Sequence, residues 1–290
     1  MICHKSEINA PLRRLRSCVG SRIAGAIIVL ATAACAHLPG TRGDLALRVM
    51  SYNIRSGNDD LAKTAAAIAA ESPDIVALQE VDVHWAPRSN FADQATELGE
   101  RLRMHVRFAH IYDLAPARAG DPRREFGIAI LSKYPVSSSV NHEISRLSTQ
   151  DEHPVPTLMP GFLESRIDIR GMIVRVFDTH LDYRSDPRVR EQQVRDMLAF
   201  IGDADAPTIL MGDLNATPDA PEIQPLRSRL RDSWSDRDGA GFTYPAEGPV
   251  RRIDAVLVSG DFRVKSATVP ATLASDHRPV VVDLELLRAR

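Results

Sequence analysis

The sequence predicts an α/β domain with a two-sheet core covered by helices, and three observations predict it. Apolar, β-prone runs outnumber helical ones. Strands and helices alternate through the first half of the chain, and the strand runs are too continuously apolar for a sheet with one wet face. The 290 residues are 44% hydrophobic, 26% charged and 5% aromatic, with 36 Lys+Arg against 38 Asp+Glu. That composition supports one large core and excludes collagen-like, coiled-coil and mostly disordered chains. No apolar run reaches the roughly 18 residues of a membrane span, so the body of the chain is expected to be water-soluble.

Leu45 to Asn53 (LALRVMSYN) reads as the first strand, and Gly57-Asn58-Asp59 supplies a turn and an N-cap for a helix over Leu61 to Ala70. Pro73 precedes a second strand, Asp74 to Glu80, whose apolar run ends on an acid. A helix over Asp93 to Leu102 and a strand over His105 to His110 follow, then a Pro/Gly/Arg-rich loop from Pro116 to Arg124. Further strands are expected at Phe126 to Leu131, Phe162 to Ile169 and Met172 to Thr179. Val189, Val194, Leu198 and Ile201 recur at near-helical spacing after Asp186-Pro187, which makes Asp186 to Ile201 a helix. Thr208 to Met211, Ile253 to Ser259, Phe262 to Thr268 and Val280 to Leu284 complete the strands of one domain spanning about 44–288.

The first residues differ from the rest. Arg13, Arg14, Arg16 and Arg22 precede the apolar run Ile23 to Ala34, and Cys35 and small residues close it, the pattern of an export signal over 1–35 with a linker over 36–43. Two processing routes stay open: lipidation of Cys35 after a lipobox-like Ala33-Ala34, and ordinary cleavage after Ala36. The expected location is the periplasm or cell envelope, lipid-anchored through Cys35 or else secreted. All three cysteines (Cys3, Cys18, Cys35) lie in this leader, which excludes cysteine-protease and zinc-finger chemistry in the domain. Residues 1–35 hold five basic residues and one acid, so the remainder is more acidic than the whole chain at −2 and does not suggest a broad basic surface for long nucleic acid.

Residues suited to chemistry gather at strand ends, where a fixed backbone leaves side chains in a cleft. Asn53 and Glu80 close the first two strands, His180 follows Thr179, Asp213 and Asn215 follow Met211, and Asp276-His277 opens the last strand. Taken singly, each is an ordinary turn residue, solvated acid or core histidine; their joint order is what carries information. Carboxylates and an amide oxygen without thiolate are hard donors, suited to Mg²⁺, Mn²⁺ or Ca²⁺.

That order is identifiable. SYNIR (Ser51 to Arg55), DIVALQEVD (Asp74 to Asp82), FGIAILSKYPV (Phe126 to Val136), THLD (Thr179 to Asp182), ILMGDLNATP (Ile209 to Pro218), RIDAVLVS (Arg252 to Ser259) and SDHRPVVVDL (Ser275 to Leu284) resemble the endonuclease/exonuclease/phosphatase superfamily. The resemblance covers nearly the whole chain after the leader. It implies a four-layered sandwich of the deoxyribonuclease I type and a phosphoester hydrolase using a divalent cation, usually Mg²⁺. By the same resemblance Asn53 and Glu80 match metal positions, and Asp276 an acid that contributes to the metal site or supports its ligands. Asp213 and Asn215 match the pair orienting the attacking water and the scissile phosphate. His277 matches the catalytic histidine and Asp254 its holding acid. His180 matches a phosphate-contacting histidine that pairs with a glutamate, a place Glu125 is expected to take.

An anionic phosphodiester repels hydroxide until its charge is neutralised, and an imidazole held by a carboxylate takes a proton from water or hydrogen-bonds the developing phosphorane. The abasic-site enzymes carry Gln-Glu-Thr-Lys where this chain has Gln79-Glu80-Val81-Asp82, and the inositol phosphatases a longer tryptophan-containing motif, so neither subgroup fits. A monomeric phosphodiesterase acting on lipid head groups, extracellular nucleic acid or small phosphoesters is the expectation. Phe242-Thr243-Tyr244 and Arg118, Arg123 and Arg124 are placed at its groove. The opposing expectation is an inactive member serving as an envelope binding module.

Overall fold

The computed structural model describes residues 44–203 and 206–287, apart from the side chains of Asn58 and Asp59. The expected export signal, its processing sites at Cys35 and Ala36 and the 36–43 linker lie outside the described residues. Among the described residues no helix is long and apolar enough to cross a membrane.

Twelve strands and four α-helices follow one another as β1 (Leu45–Asn53), α1 (Leu61–Glu71), β2 (Ile75–Val83), α2 (Gln94–Leu102), β3 (His105–Leu114), β4 (Arg124–Ser132), β5 (Val136–Arg146), β6 (Thr157–Ile169), β7 (Met172–His180), α3 (Arg188–Ile201), β8 (Thr208–Asp213), α4 (Gln224–Arg229), β9 (Arg231–Asp232), β10 (Asp254–Val258), β11 (Phe262–Thr268) and β12 (Val280–Leu286). They build two six-stranded sheets, ordered β11-β12-β1-β2-β4-β3 and β5-β6-β7-β8-β10-β9. Each sheet is mixed: β1 with β2 and β7 with β8 run parallel, and the other pairs are antiparallel. Asp60 and Asp93 cap α1 and α2, each accepting a backbone N–H with its carboxylate.

Strand alternation makes the layers. Leu47 and Val49 of β1 meet Val174 and Val176 of β7 and Ile209 and Met211 of β8 in one cluster between the sheets. The opposite faces pack on helices: Met50, Tyr52, Val76 and Leu78 against Ile68 and Leu98, and Phe177, Leu210 and Leu257 against Val194, Met197 and Leu226. The fold is therefore a four-layered α/β sandwich. Each fully buried Leu, Ile or Phe in it contributes about 1.5–3 kcal/mol of transfer free energy.

Several elements differ from the sequence expectation: α4 and β9 lie where none is expected, β3 runs on to Leu114, and β5 and β2 differ most. The polar run Ser137-Ser138-Ser139 with Asn141 and His142 reads as loop, yet it forms β5, an edge strand whose outward residues are wet. Strand β2 does not end at Glu80: the chain bulges there, with φ +57° at Glu80 and a register shift between Leu78 and Val81, and continues to Val83. In an unbroken strand Glu80 would share the helix-facing side of Val76 and Leu78. The extra residue hands that side to Val81 and Val83 and frees Glu80 for the cleft.

On the faces that look across the sandwich, the apolar layer gives way to a polar rung before the strand ends. Gln79 of β2 donates to Asp178 of β7 at 2.7 Å, and Ser51 lies buried on β1. Burial pushes the Asp178 carboxyl well above the ordinary carboxylate range, outweighing the Gln79 hydrogen bond. A group raised in the folded state adds stability that is complete below its unfolded pKa and is lost as pH rises through the folded one. Asp178→Asn, which keeps an acceptor for Gln79, is expected to unfold at higher urea than wild type at pH 7, with the difference shrinking towards pH 4. An equal midpoint at pH 7 would show that burial does not penalise Asp178.

Candidate active site

Beyond that rung, the residues that close the inner faces converge. Asn53 ends β1, His180 ends β7, Asp213 ends β8 and Asp254 starts β10. Because β8 runs antiparallel to β10 in the register Asp213↔Asp254, the two acids lie side by side, and His180↔Asp213 pairs across β7 and β8. His277 comes from the loop before β12, whose first residue is Val280, so the expectation that Asp276-His277 opens that strand is off by a few residues.

His277 Nδ1 lies 2.9 Å from Asp254 Oδ2, and its Nε2 is 3.8 Å from Asp213 Oδ2. His180 Nε2 approaches the same Asp213 oxygen at 3.5 Å. Asn53 Nδ2 donates to Glu80 Oε1 at 3.0 Å and to Asp213 Oδ2 at 3.1 Å, while its Oδ1 accepts the Arg55 N–H. Asn215, at φ +50°, donates its backbone N–H to Asp213 Oδ1 and one side-chain N–H to the Leu181 carbonyl. Asp276 stands 3.7 Å from Arg55, and Ser275 ties this loop to β1 by donating to the Asn53 carbonyl at 2.8 Å.

The histidine is strongly polarised. Burial alone would lower its pKa, but Asp254, then Asp213 and Asp276, outweigh burial and raise it from the ordinary 6.5 to about 10. We assign the shared proton to His277, with Asp254 anionic, since three acids favour the imidazolium. Tyr244 packs on the imidazole with ring centroids 4.8 Å apart. Its segment is strapped to the histidine loop by Ala246 N–H to the Asp276 carbonyl and Arg278 N–H to the Thr243 carbonyl. Thr243 also accepts the Asp254 N–H at 3.4 Å, so Thr243 and Tyr244 border the site as expected, and Phe242 is exposed beside them.

Glu125 is placed differently from the expectation. It lies in the second position of β4, and its partner is His110 Nδ1 at 3.4 Å; the acid facing His180 is Asp213. The antiparallel pairing of β3 with β4 explains the exchange, because it sets His110 and Glu125 on neighbouring strands. The Arg-rich loop is also committed elsewhere: Arg123 pairs with Asp113, Arg124 donates to the Ala115 carbonyl, and Arg118 and Arg124 line a separate cavity with His84 and Phe91.

The donor set fits a hard divalent cation. Glu80 and Asp213 share the Asn53 amide, Asp254 and Asp276 flank His277, and the described residues include no cysteine. Carboxylates packed this closely repel one another, and a divalent cation relieves that repulsion. Atoms of Asp213, Asp254 and His277 able to ligate also lie within 4.8 Å of one another. Arg55 and Ser275 escaped singling out in the sequence. Each sits within a motif quoted for other residues or beside one, and only the folded contacts distinguish them.

A four-layered α/β sandwich with a buried His–Asp pair beside clustered oxygen donors has the deoxyribonuclease I-like architecture. The chain belongs to the Endonuclease/Exonuclease/phosphatase family, whose model matches residues 50–277, and members of that family are phosphoester hydrolases. It is 29% identical to an endonuclease/exonuclease/phosphatase from Beutenbergia cavernae, whose crystal structure superposes with TM-score 0.66 over 84% of this chain and 72% of that one. A mannosyl-6-phosphatase from Bacteroides thetaiotaomicron is 20% identical with TM-score 0.61, over 82% of this chain and 99% of that one. A phospholipase C from Staphylococcus aureus is 22% identical over 176 residues, 53% of this chain and 52% of its own. The chain thus spans about half the length of the curated relatives it matches.

Proposed function

We propose that this protein is an exported, divalent-metal-dependent phosphodiesterase in which His277, held by Asp254, assists the attack of water. The hydrogen bond of 2.9 Å between His277 and Asp254, with Asp213 facing both His277 and His180, carries the reading. Glu80, Asp276 and their carboxylate neighbours would hold the cation, which when bound neutralises charge on the phosphoryl oxygens. Asp254 accepts the Nδ1–H and favours the imidazolium, so that Nε2–H faces Asp213 and the substrate. With its pKa raised, His277 enters the reaction as a donor to a phosphoryl oxygen, and Asp213 is the acceptor placed to take the proton of the attacking water. His180 supplies a second donor to the phosphate, and the remaining N–H of Asn215 a third. His277 is buried and its ring packs on Tyr244, which keeps bulk water from competing for its proton.

Hydrolysis of bis-p-nitrophenyl phosphate, DNA, RNA and phospholipid vesicles with Mg²⁺ or Mn²⁺ tests the reading. Activity on at least one, lost in His277→Ala, is expected; silence on all of them sinks it and favours the binding-module alternative. Glu80→Gln is expected to raise the Mg²⁺ concentration for half-maximal activity by about tenfold or more, as for loss of one charged ligand partner. An unchanged metal titration would remove Glu80 from the cation's surroundings. Export rests on the basic leader, its apolar run and Cys35. If Cys35 is lipidated, Cys35→Ser moves the protein from the membrane fraction to the soluble one, and identical fractionation leaves ordinary secretion.

A further inference from the structure

Strand β7 ends on His180 with its two flanks held differently. Towards β8 the pairing runs on to His180↔Asp213, and the Leu181 N–H continues it by donating to the Asp213 carbonyl at 2.9 Å. Towards β6 it stops one residue earlier, at Phe162↔Thr179, because β6 is irregular beyond that point. While β5 advances from His142 to Ile144, its partner on β6 passes from Phe162 to Met159, so Pro160 and Gly161 bulge. Gly161 is the residue that would pair with His180, and its N–H donates instead to Asn141 Oδ1 at 2.8 Å. The His180 carbonyl therefore has no ladder donor on that flank.

A side chain fills the gap. Arg146, the last residue of β5, reaches across β6, and its guanidinium donates to the His180 carbonyl at 2.9 Å and to the Gly161 carbonyl at 2.8 Å. Gly161 makes the room: at φ +119°, a Cβ there would stand 2.9 Å from Arg146 Nη2 and 2.4 Å from Ile111 Cγ1. Arg146 is only 7% exposed. Burial lowers its pKa to about 10 against the pull of Tyr112 and Asp182, so it stays cationic at neutral pH. Desolvating that charge is costly, its Nε–H is buried without a partner, and an apolar side chain would join β5 to β6 at no such cost. What an apolar side chain cannot supply is a rigid fork of donors at the end of the strand that carries His180.

From this arrangement we infer that Arg146 is a positioning residue for His180: by gripping the His180 and Gly161 carbonyls it fixes the end of β7 and keeps His180 Nε2 facing Asp213 and the phosphoryl group. The inference rests on the proposed phosphodiesterase reading, in which His180 donates to the phosphate. Arg146 acts through the main chain of the residue that makes that contact. Without it the His180 carbonyl is held by no donor on the β6 side, and the imidazole turns with its backbone. Misplacing such a group by about 1 Å costs up to roughly 10²-fold in rate.

Arg146→Met removes the donors at similar length, and Arg146→Lys keeps the charge but replaces the planar fork with a point donor. With Mg²⁺ and bis-p-nitrophenyl phosphate, kcat/KM is measured for each in the wild-type and His180→Ala backgrounds. Each is expected to lose about 10–100-fold against wild type, and less than about threefold where His180 is already absent, because both changes remove one interaction. A loss as large in the His180→Ala background, or turnover within about threefold of wild type in the folded variants, overturns the inference. A second readout needs no turnover: the imidazole resonances of the metal-free protein, followed by nuclear magnetic resonance. In Arg146→Lys the His180 signals are expected to shift while those of His277 stay. Unmoved His180 signals overturn the inference, and so do equal shifts at both histidines, which mark a general loosening of the fold. Wild-type protein silent on bis-p-nitrophenyl phosphate counts against the phosphodiesterase reading alone, and the resonances then decide whether Arg146 places His180.

Discussion

His277→Ala is expected to lower kcat/KM for a phosphodiester by about 10³–10⁴-fold, the range of a lost general acid–base group together with its orienting partner. Asp213→Ala is expected to fall in the same range, because Asp213 faces both Nε2 atoms and no other acid stands at that point. Asp254→Asn should approach the same loss by a different route: the ring keeps its place but loses its tautomer and much of its charge. Removing Asp254 takes away the largest influence raising His277, so the titration of the imidazole in the metal-free protein should move down from about 10, as followed by nuclear magnetic resonance. His277→Ala leaves Asp254 buried without its cation, which adds a stability cost; near-ultraviolet circular dichroism and a His277→Gln variant separate lost chemistry from lost structure. Turnover within tenfold of wild type in folded His277→Ala or Asp213→Ala would remove that residue from the chemistry.

Gly212→Ala is expected to damage the fold itself severely. Gly212 sits at φ +154°, and a Cβ there would stand 2.2 Å from the Thr179 carbonyl and 2.8 Å from the Thr179 methyl. Thr179 is its register partner on the parallel neighbour β7, so the clash is with backbone that also carries His180. Strain of about 1–3 kcal/mol and overpacking of about 1–3 kcal/mol act together. In a domain of this size that lowers Tm by ~10 °C. The same displacement pulls Asp213 from His180, so activity should fall in whatever fraction remains folded. A Tm within two or three degrees of wild type, by thermal circular dichroism, would show that the β7–β8 pair yields where the geometry says it cannot.

Much of this molecule is legible in its sequence because its strands carry their own signal. LALRVMSYN, DIVALQE and Thr208 to Met211 are apolar on both faces, which only a strand covered by helices on one side and a second sheet on the other can satisfy. The site acids are legible because GD-x-N, RID and SDH stand in the family's order, and that resemblance implies their roles as a set. Strand β5 is not legible, because an edge strand with wet residues has the composition of a loop. Nor is the bulge at Glu80, since nothing in DIVALQEVD marks the point where one extra residue re-aims an acid.

Sequence by itself determined the two-sheet core covered by helices, since patterns of period two and residue type are local properties, and through its resemblance to the family it pointed to His277, Asp254, Asp213 and Asn53. Tertiary structure decided which acid faces which histidine. Glu125 was expected beside His180, and cross-strand register gave it to His110 while Asp213 took its place. Tertiary structure also decided that Arg146, which ends β5, lies buried and donates to the carbonyl of His180 on β7, across the intervening β6. Such contacts join residues tens of positions apart, and their distances are set by register and packing, which no single stretch of chain encodes.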